Sequence, residues 1–115
     1  MTRTLALAAC TLLVGCADQK ERTLGAAFEG IPVPIAATRH PNTDAPVVLH
    51  GTMTEKCPVA GCWFILRDAS GTIKVDTKDA GFVVVQVPLN TSLLVAGRVV
   101  TNGSERTFEA TGVRY

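Results

Sequence analysis

LLVAGRVVTNGSERTFEATGVRY, residues 93–115, reads as two long strands folded back on one another. Asn102-Gly103 is the strongest two-residue hairpin signal in the chain, because both residue types tolerate positive φ. A strand over 93–101 leads into it and one over 105–111 returns. Each arm carries a glycine flanked two places away on either side. The runs are Val95-Ala96-Gly97-Arg98-Val99 and, with poorer spacing, Ala110-Thr111-Gly112-Val113-Arg114. Leu49-His50-Gly51-Thr52-Met53 repeats the pattern upstream. Glycine weakens a strand unless the strand must bend or another backbone must approach closely. Recurrent glycine in long strands therefore points to a small, strongly coiled barrel whose corners are turned at glycines and bulges.

Further strands are expected over 47–55, 62–67, 72–75 and 82–87, the last closed by Pro88. Residues 68–71 carry turn chemistry, and 78–81 hold one helical turn at most. No segment after Ala45 sustains a 3.6-residue period. Ile31-Pro32-Val33-Pro34-Ile35 carries two prolines, which lack an N–H and lock φ, so it is expected as an extended arm across the domain surface. A single helical turn is expected over 36–40 and a turn over 42–44. The fold class is all-β: a small five-stranded Greek-key barrel of the OB type, with a meander or small sandwich as the alternative.

At the other end, MTRTLALAACTLLVGC begins with a basic residue and an apolar run. That run is shorter than the roughly 20 apolar residues a bilayer span needs. Residues 1–15 read as a secretory signal peptide. Leu13-Val14-Gly15-Cys16 resembles the bacterial lipobox, which implies lipidation of Cys16 with acyl chains such as palmitate. The residue after Cys16 is Ala17, and the first Asp is one place later at Asp18. By resemblance to Gram-negative lipoproteins, that favours the outer membrane, facing the periplasm. Residues 16–30 are expected as lipidated N-terminus and flexible tether, and 31–115 as the barrel domain with its proline-containing arm.

Formal charge is +1 for the whole chain, and removing Arg3 with the signal brings it to zero. A neutral chain whose residues are only 5% aromatic offers neither the electrostatic footprint nor the stacking platforms of a nucleic-acid binder. The expected partners are the membrane, through the lipid, and an envelope protein or small ligand. No Ser/His/Asp order, phosphate-cradling loop or zinc-type spacing is present, so no enzyme and no cofactor are expected.

With Cys10 in the signal and Cys16 lipidated, Cys57 and Cys62 remain as a pair in an oxidising compartment. Three readings stand beside one another. The first is a structural disulfide closing the hairpin between the first two barrel strands. The second is a metal clasp completed by His50 and Met53, although the pleat puts His50 on the opposite face from Met53 and Cys57. The third is a redox-active pair. Trp63, the only tryptophan, is read as a core or rim residue or as a stacking surface. Asp76, Lys78, Asp79 and Phe82 form the remaining ligand-binding candidates.

The segments VVLHGTMTEKCPVAGCWFILRD, IKVDTKDAGFVV and VAGRVV together resemble a family of bacterial secreted or lipid-anchored domains of unknown function with an OB-like barrel. The residues that carry the likeness are Cys57, Gly61-Cys62-Trp63 and Lys78-Asp79-Ala80-Gly81-Phe82. The resemblance implies the fold. The function expected is a lipid-anchored, non-enzymatic binding module of the cell envelope. A metal- or redox-handling accessory and a purely structural lipoprotein are the alternatives.

Overall fold

The computed structural model describes residues 21–39 and 45–115. The expected signal peptide over 1–15, Cys16, the start of the expected tether, His40 and the expected turn at 42–44 lie outside the described residues. The elements are β1 (Thr23–Gly25), β2 (Pro32–Val33), a 3₁₀ helix (Ile35–Arg39), β3 (Val47–Lys56), β4 (Trp63–Asp68), β5 (Gly71–Asp76), β6 (Ser92–Asn102) and β7 (Glu105–Arg114).

Five of these strands close into a barrel. β3 pairs antiparallel with both β4 and β6, β4 with β5, and β6 with β7. The ring is sealed by a short parallel pairing of Lys74, Val75 and Asp76 on β5 with Thr107, Phe108 and Glu109 on β7. Alternation decides what goes inside: along GTIKVD only Ile73 and Val75 are buried. The interior holds Leu49, Met53, Phe64, Leu66, Val95 and Phe108, each fully buried.

The glycines stand where backbones meet. A Cβ on Gly51 would strike the carbonyl oxygen of Arg67, one on Gly97 that of Glu109, and one on Gly112 that of Ala26. Register shifts at Met53/Glu55 on β3 and at Ala96/Gly97 on β6 supply further bending. The hairpin turn is displaced by one residue from the expected one. Asn102 still pairs with Glu105, and Gly103-Ser104 make the turn, with Gly103 at φ 65.

Two expectations are corrected. The spacer expected to reach residue 30 stops short, because Arg22 and Tyr115 exchange N–H···O bonds of 2.6 and 2.9 Å and β1 pairs with the end of β7. Leu24 also packs on the core. Second, 82–87 is not a strand. Val84 and Val87 are fully buried while Val83 and Val85 are half exposed, a spacing of three rather than two. Val87 N–H turns back to the Val84 carbonyl. The segment inserts two valines into the barrel end, and Lys56 Nζ holds it by donating to the carbonyls of Val85 (3.0 Å) and Val87 (2.5 Å). The prolines of 31–35 do form an extended arm, with β2 laid parallel along β3.

At the other end of the barrel, Asp68 ties the 3₁₀ helix to the β4–β5 turn. Its carboxylate accepts from Ile35 N (2.8 Å), Ser70 N (2.7 Å), Ser70 Oγ (2.6 Å) and Gly71 N (3.1 Å). Burial pushes its pKa up, but these donors outweigh burial and hold it below the usual carboxylate value. Its stabilising contribution is therefore complete above that ordinary value and is lost as pH falls through the lowered one. Asp68→Asn is expected to cost about 1–2 kcal/mol at neutral pH. Urea melts should show the deficit shrinking in acid; a deficit independent of pH would contradict this role.

Strand directions place several ends together. β3 and β7 both run antiparallel to β6, so their C-terminal ends share one end of the barrel. β4 begins there, β5 ends there, and β1 enters there beside the end of β7. The loop carrying both cysteines, Trp63 and the valine plug thus lie at the end where the chain comes in.

Candidate functional site

The cysteine loop continues the β3–β4 ladder by one step. Cys57 N–H donates to the Trp63 carbonyl at 3.0 Å, and Gly61 N–H returns to the Cys57 carbonyl at 3.2 Å. Two further bonds fasten it from outside: Thr77 N–H to the Cys62 carbonyl (2.9 Å) and Val84 N–H to the Gly61 carbonyl (2.8 Å). Gly61 is required here. Its φ is +61, and a Cβ would lie 2.7 Å from the Val85 nitrogen.

Within this turn the backbone amides of Ala60 and Val59, and to a lesser degree that of Gly61 and the Cys62 thiol, favour the charged form of the Cys57 thiol. Partial burial opposes them. Their sum brings the Cys57 thiol down from 9.0 to about 7. Both cysteines are half-buried free thiols, so the expected disulfide is not formed in this structure. At neutral pH about half of Cys57 would be thiolate, against roughly 1% for a thiol at the unshifted 9.0. Iodoacetamide labelling of Cys57, followed by peptide mass, is expected to rise with pH through about 7. A rise confined to the ordinary thiol range would contradict the lowered value.

Beside the loop, β4 turns Trp63, Ile65 and Arg67 outward, and β5 turns Thr72, Lys74 and Asp76 outward in register with Arg67, Ile65 and Trp63 respectively. Lys74 Nζ lies 5.3 Å from the centroid of the Trp63 ring, within cation–π range. Asp76 faces Trp63 and accepts from the Lys78 N–H at 2.8 Å, fixing the turn that follows. The remaining candidates go elsewhere. Asp79 looks onto a crevice with Gly25, Arg98 and Glu109. Phe82 is half-buried, packed on Gly25 and the core. Lys74 was missed from the sequence, although its place two residues before Asp76 on a strand already put it on that face.

The metal clasp with His50 and Met53 is not assembled. Met53 is fully buried in the core. His50 points outward and pairs with Ser92 Oγ at 2.9 Å, seven residues and roughly 20 Å of strand from Cys57. Among the described residues no group of three or more His, Cys, Asp or Glu converges to hold a metal ion.

A closed barrel whose first strand pairs with the second and fourth, and whose third and fifth run parallel, defines an OB-fold protein. More narrowly, the chain belongs to the bacterial OB fold (BOF) protein family, whose model matches residues 18–114. No curated protein matches it. Among solved structures it is similar to the hypothetical protein ygiW from E. coli, at 20% identity and a TM-score of 0.60, over 77% of this chain and 97% of that one. At that identity the likeness concerns the fold alone.

Proposed function

We propose that the protein is a lipid-anchored, non-enzymatic binding module of the cell envelope, its ligand face being the outer surface of β4 and β5 around Trp63. The observation that carries this reading is the partly exposed indole with Lys74 over its ring and Asp76 opposite. One flat apolar surface flanked by a cation and an acid suits a polar ligand or a protein partner that stacks and hydrogen-bonds at once. Strands two and three of an OB barrel are also the face that this fold uses for ligands. Fold analogy alone would extend to single-stranded nucleic acid, but the neutral mature chain argues against it.

The test uses the full-length protein extracted in mild detergent. Envelope proteins captured by cross-linking should be lost on Trp63→Ala and Lys74→Glu together, while single-stranded DNA at physiological salt should leave Trp63 fluorescence unchanged. Capture insensitive to both substitutions would sink the assignment of the face. Cys16→Ser should release the protein from membranes or leave it unprocessed; membrane fractionation with continued fatty-acid labelling would sink the anchor.

A further inference from the structure

We propose that the barrel end carrying the cysteine loop docks on the lipid bilayer, its exposed valines entering the headgroup layer as a second contact beside the lipid anchor. The proposal rests on the lipid-anchored reading and goes beyond it by assigning a face of the folded domain to the membrane. Of the five large apolar side chains exposed among the described residues, four lie here: Val59, Val83, Val85 and Leu89. Val59 is 89% exposed and stands between two other exposed residues, Pro58 and Ala60. Val83 and Val85 flank the buried Val84, and Leu89 follows the exposed Pro88. Plugging the barrel with Val84 and Val87 does not require apolar residues at the outward positions, and Gln86 shows that a polar one serves. The segments are fastened to one another. Val84 N–H reaches the Gly61 carbonyl at 2.8 Å, Lys56 Nζ reaches the Val85 carbonyl at 3.0 Å, and Asn90 N–H reaches the Met53 carbonyl at 2.7 Å. The apolar tips are thus held outward on fixed backbone, and apolar surface gathered in this way marks a contact site.

The entry point of the chain names the occupant. β1 comes in at this end, so a lipid on Cys16, a few residues before Glu21, brings a bilayer here and not to the Asp68 end. The rim around the apolar tips also suits a headgroup layer. Trp63 is half-buried with Lys74 over its ring at 5.3 Å, and Tyr115 is half-buried beside the incoming Arg22. Indole and phenol rings settle at the headgroup level, and lysine stems lie along apolar surface with their charge in water. Around the loop Lys56, Lys74 and Lys78 are matched by Glu55, Asp76 and Asp79. The contact is therefore apolar, and anionic lipid should neither strengthen nor weaken it. Tethering makes the docking step intramolecular, so a modest apolar gain suffices to hold the end down.

Full-length protein purified in detergent is reconstituted into phosphatidylcholine vesicles, plain or brominated high on the acyl chains. Vesicles are floated, and Trp63 emission is read in the floated fraction. Trp63 is the only tryptophan, so it reports one place, and bromine quenches it only at close approach. The expected result is quenching in the wild type, unchanged when phosphatidylglycerol replaces part of the phosphatidylcholine. Val59→Asp should float as before but weaken the docked state about tenfold, losing most of the quenching. Ile31→Asp is the control: that side chain is equally exposed, at 89%, but precedes β2 beside the start of β3, and its loss should change nothing. The wild-type measurement stands without any substitution, should a variant fail to fold. Wild type that does not float overturns the anchor and this proposal with it. Wild type that floats unquenched overturns the docking alone, as does quenching that Val59→Asp retains or that Ile31→Asp loses equally. A dimer that Val59→Asp dissolves would assign this end to a second copy of the chain and overturn the proposal too.

Discussion

Gly97→Ala is expected to lower the melting temperature by about 10–20 °C. A methyl group at this position would fall on the Glu109 carbonyl oxygen, with the Ala110 Cα 2.9 Å away. Both obstacles are backbone of β7 and cannot swing aside as a long side chain would. The site also lies where the β6–β7 register shifts, so the two strands are already at their closest approach. Overpacking of this kind costs about 3 kcal/mol, a large share of the stability of a domain this small. Gly97 does not have positive φ, so the penalty is one of space. Gly103 provides the contrast: its φ is 65, and a Cβ placed there would have no neighbour within 4 Å. Gly103→Asn should be nearly neutral, since asparagine tolerates that conformation. Thermal melts of the two variants decide the matter; equal shifts would refute the close-approach account.

Phe108→Ala is expected to cost about 3–5 kcal/mol. Phe108 is fully buried and stands in register with Val75 on β5 and Val99 on β6. It sits at the middle of the three-residue parallel seam that closes the barrel, where pairing is shortest. The variant should therefore lose stability globally in urea and also exchange amide hydrogens faster along 74–76 and 107–109 than elsewhere. Phe82→Ala, removing a half-buried ring from the barrel's edge, should cost distinctly less. An even loss of protection across all strands would show that the seam is not the weak line.

The barrel was readable because its determinants are local and repeated. Gly51, Gly97 and Gly112 stand in long strands where no turn needs them, and each proves to be a place where backbones meet. The proline arm was readable for a similar reason, since Pro32 and Pro34 leave few conformations. Residues 82–87 misled because a run of valines satisfies strand propensity, whereas the barrel needed a plug at its open end. Nothing within FVVVQV distinguishes the two uses; the deciding partners, Lys56 and Gly61, lie over twenty residues upstream. Arg22 and Leu24 looked like spacer because their partners, Tyr115 and Val113, are at the far end of the chain. At the site, the cysteine spacing put both thiols in the loop between the first two barrel strands, where they stand as free thiols. It did not show that the amides of Val59 and Ala60 would lower the Cys57 thiol, because that depends on how the loop between the two cysteines folds.

The reciprocal pairing of Arg22 with Tyr115 also sets an orientation. It pins the incoming chain to the end of the barrel that carries Cys57, Cys62 and Trp63. From Cys16 to Glu21 a fully extended chain reaches no more than about 18 Å. A lipid on Cys16 would thus turn the thiols and the indole toward the bilayer rather than toward open periplasm. Encounters would then be a matter of lateral diffusion. Partners travelling in the membrane, or hugging its surface, would meet this end at a local concentration that bulk solutes never reach, while the Asp68 end would face the aqueous space.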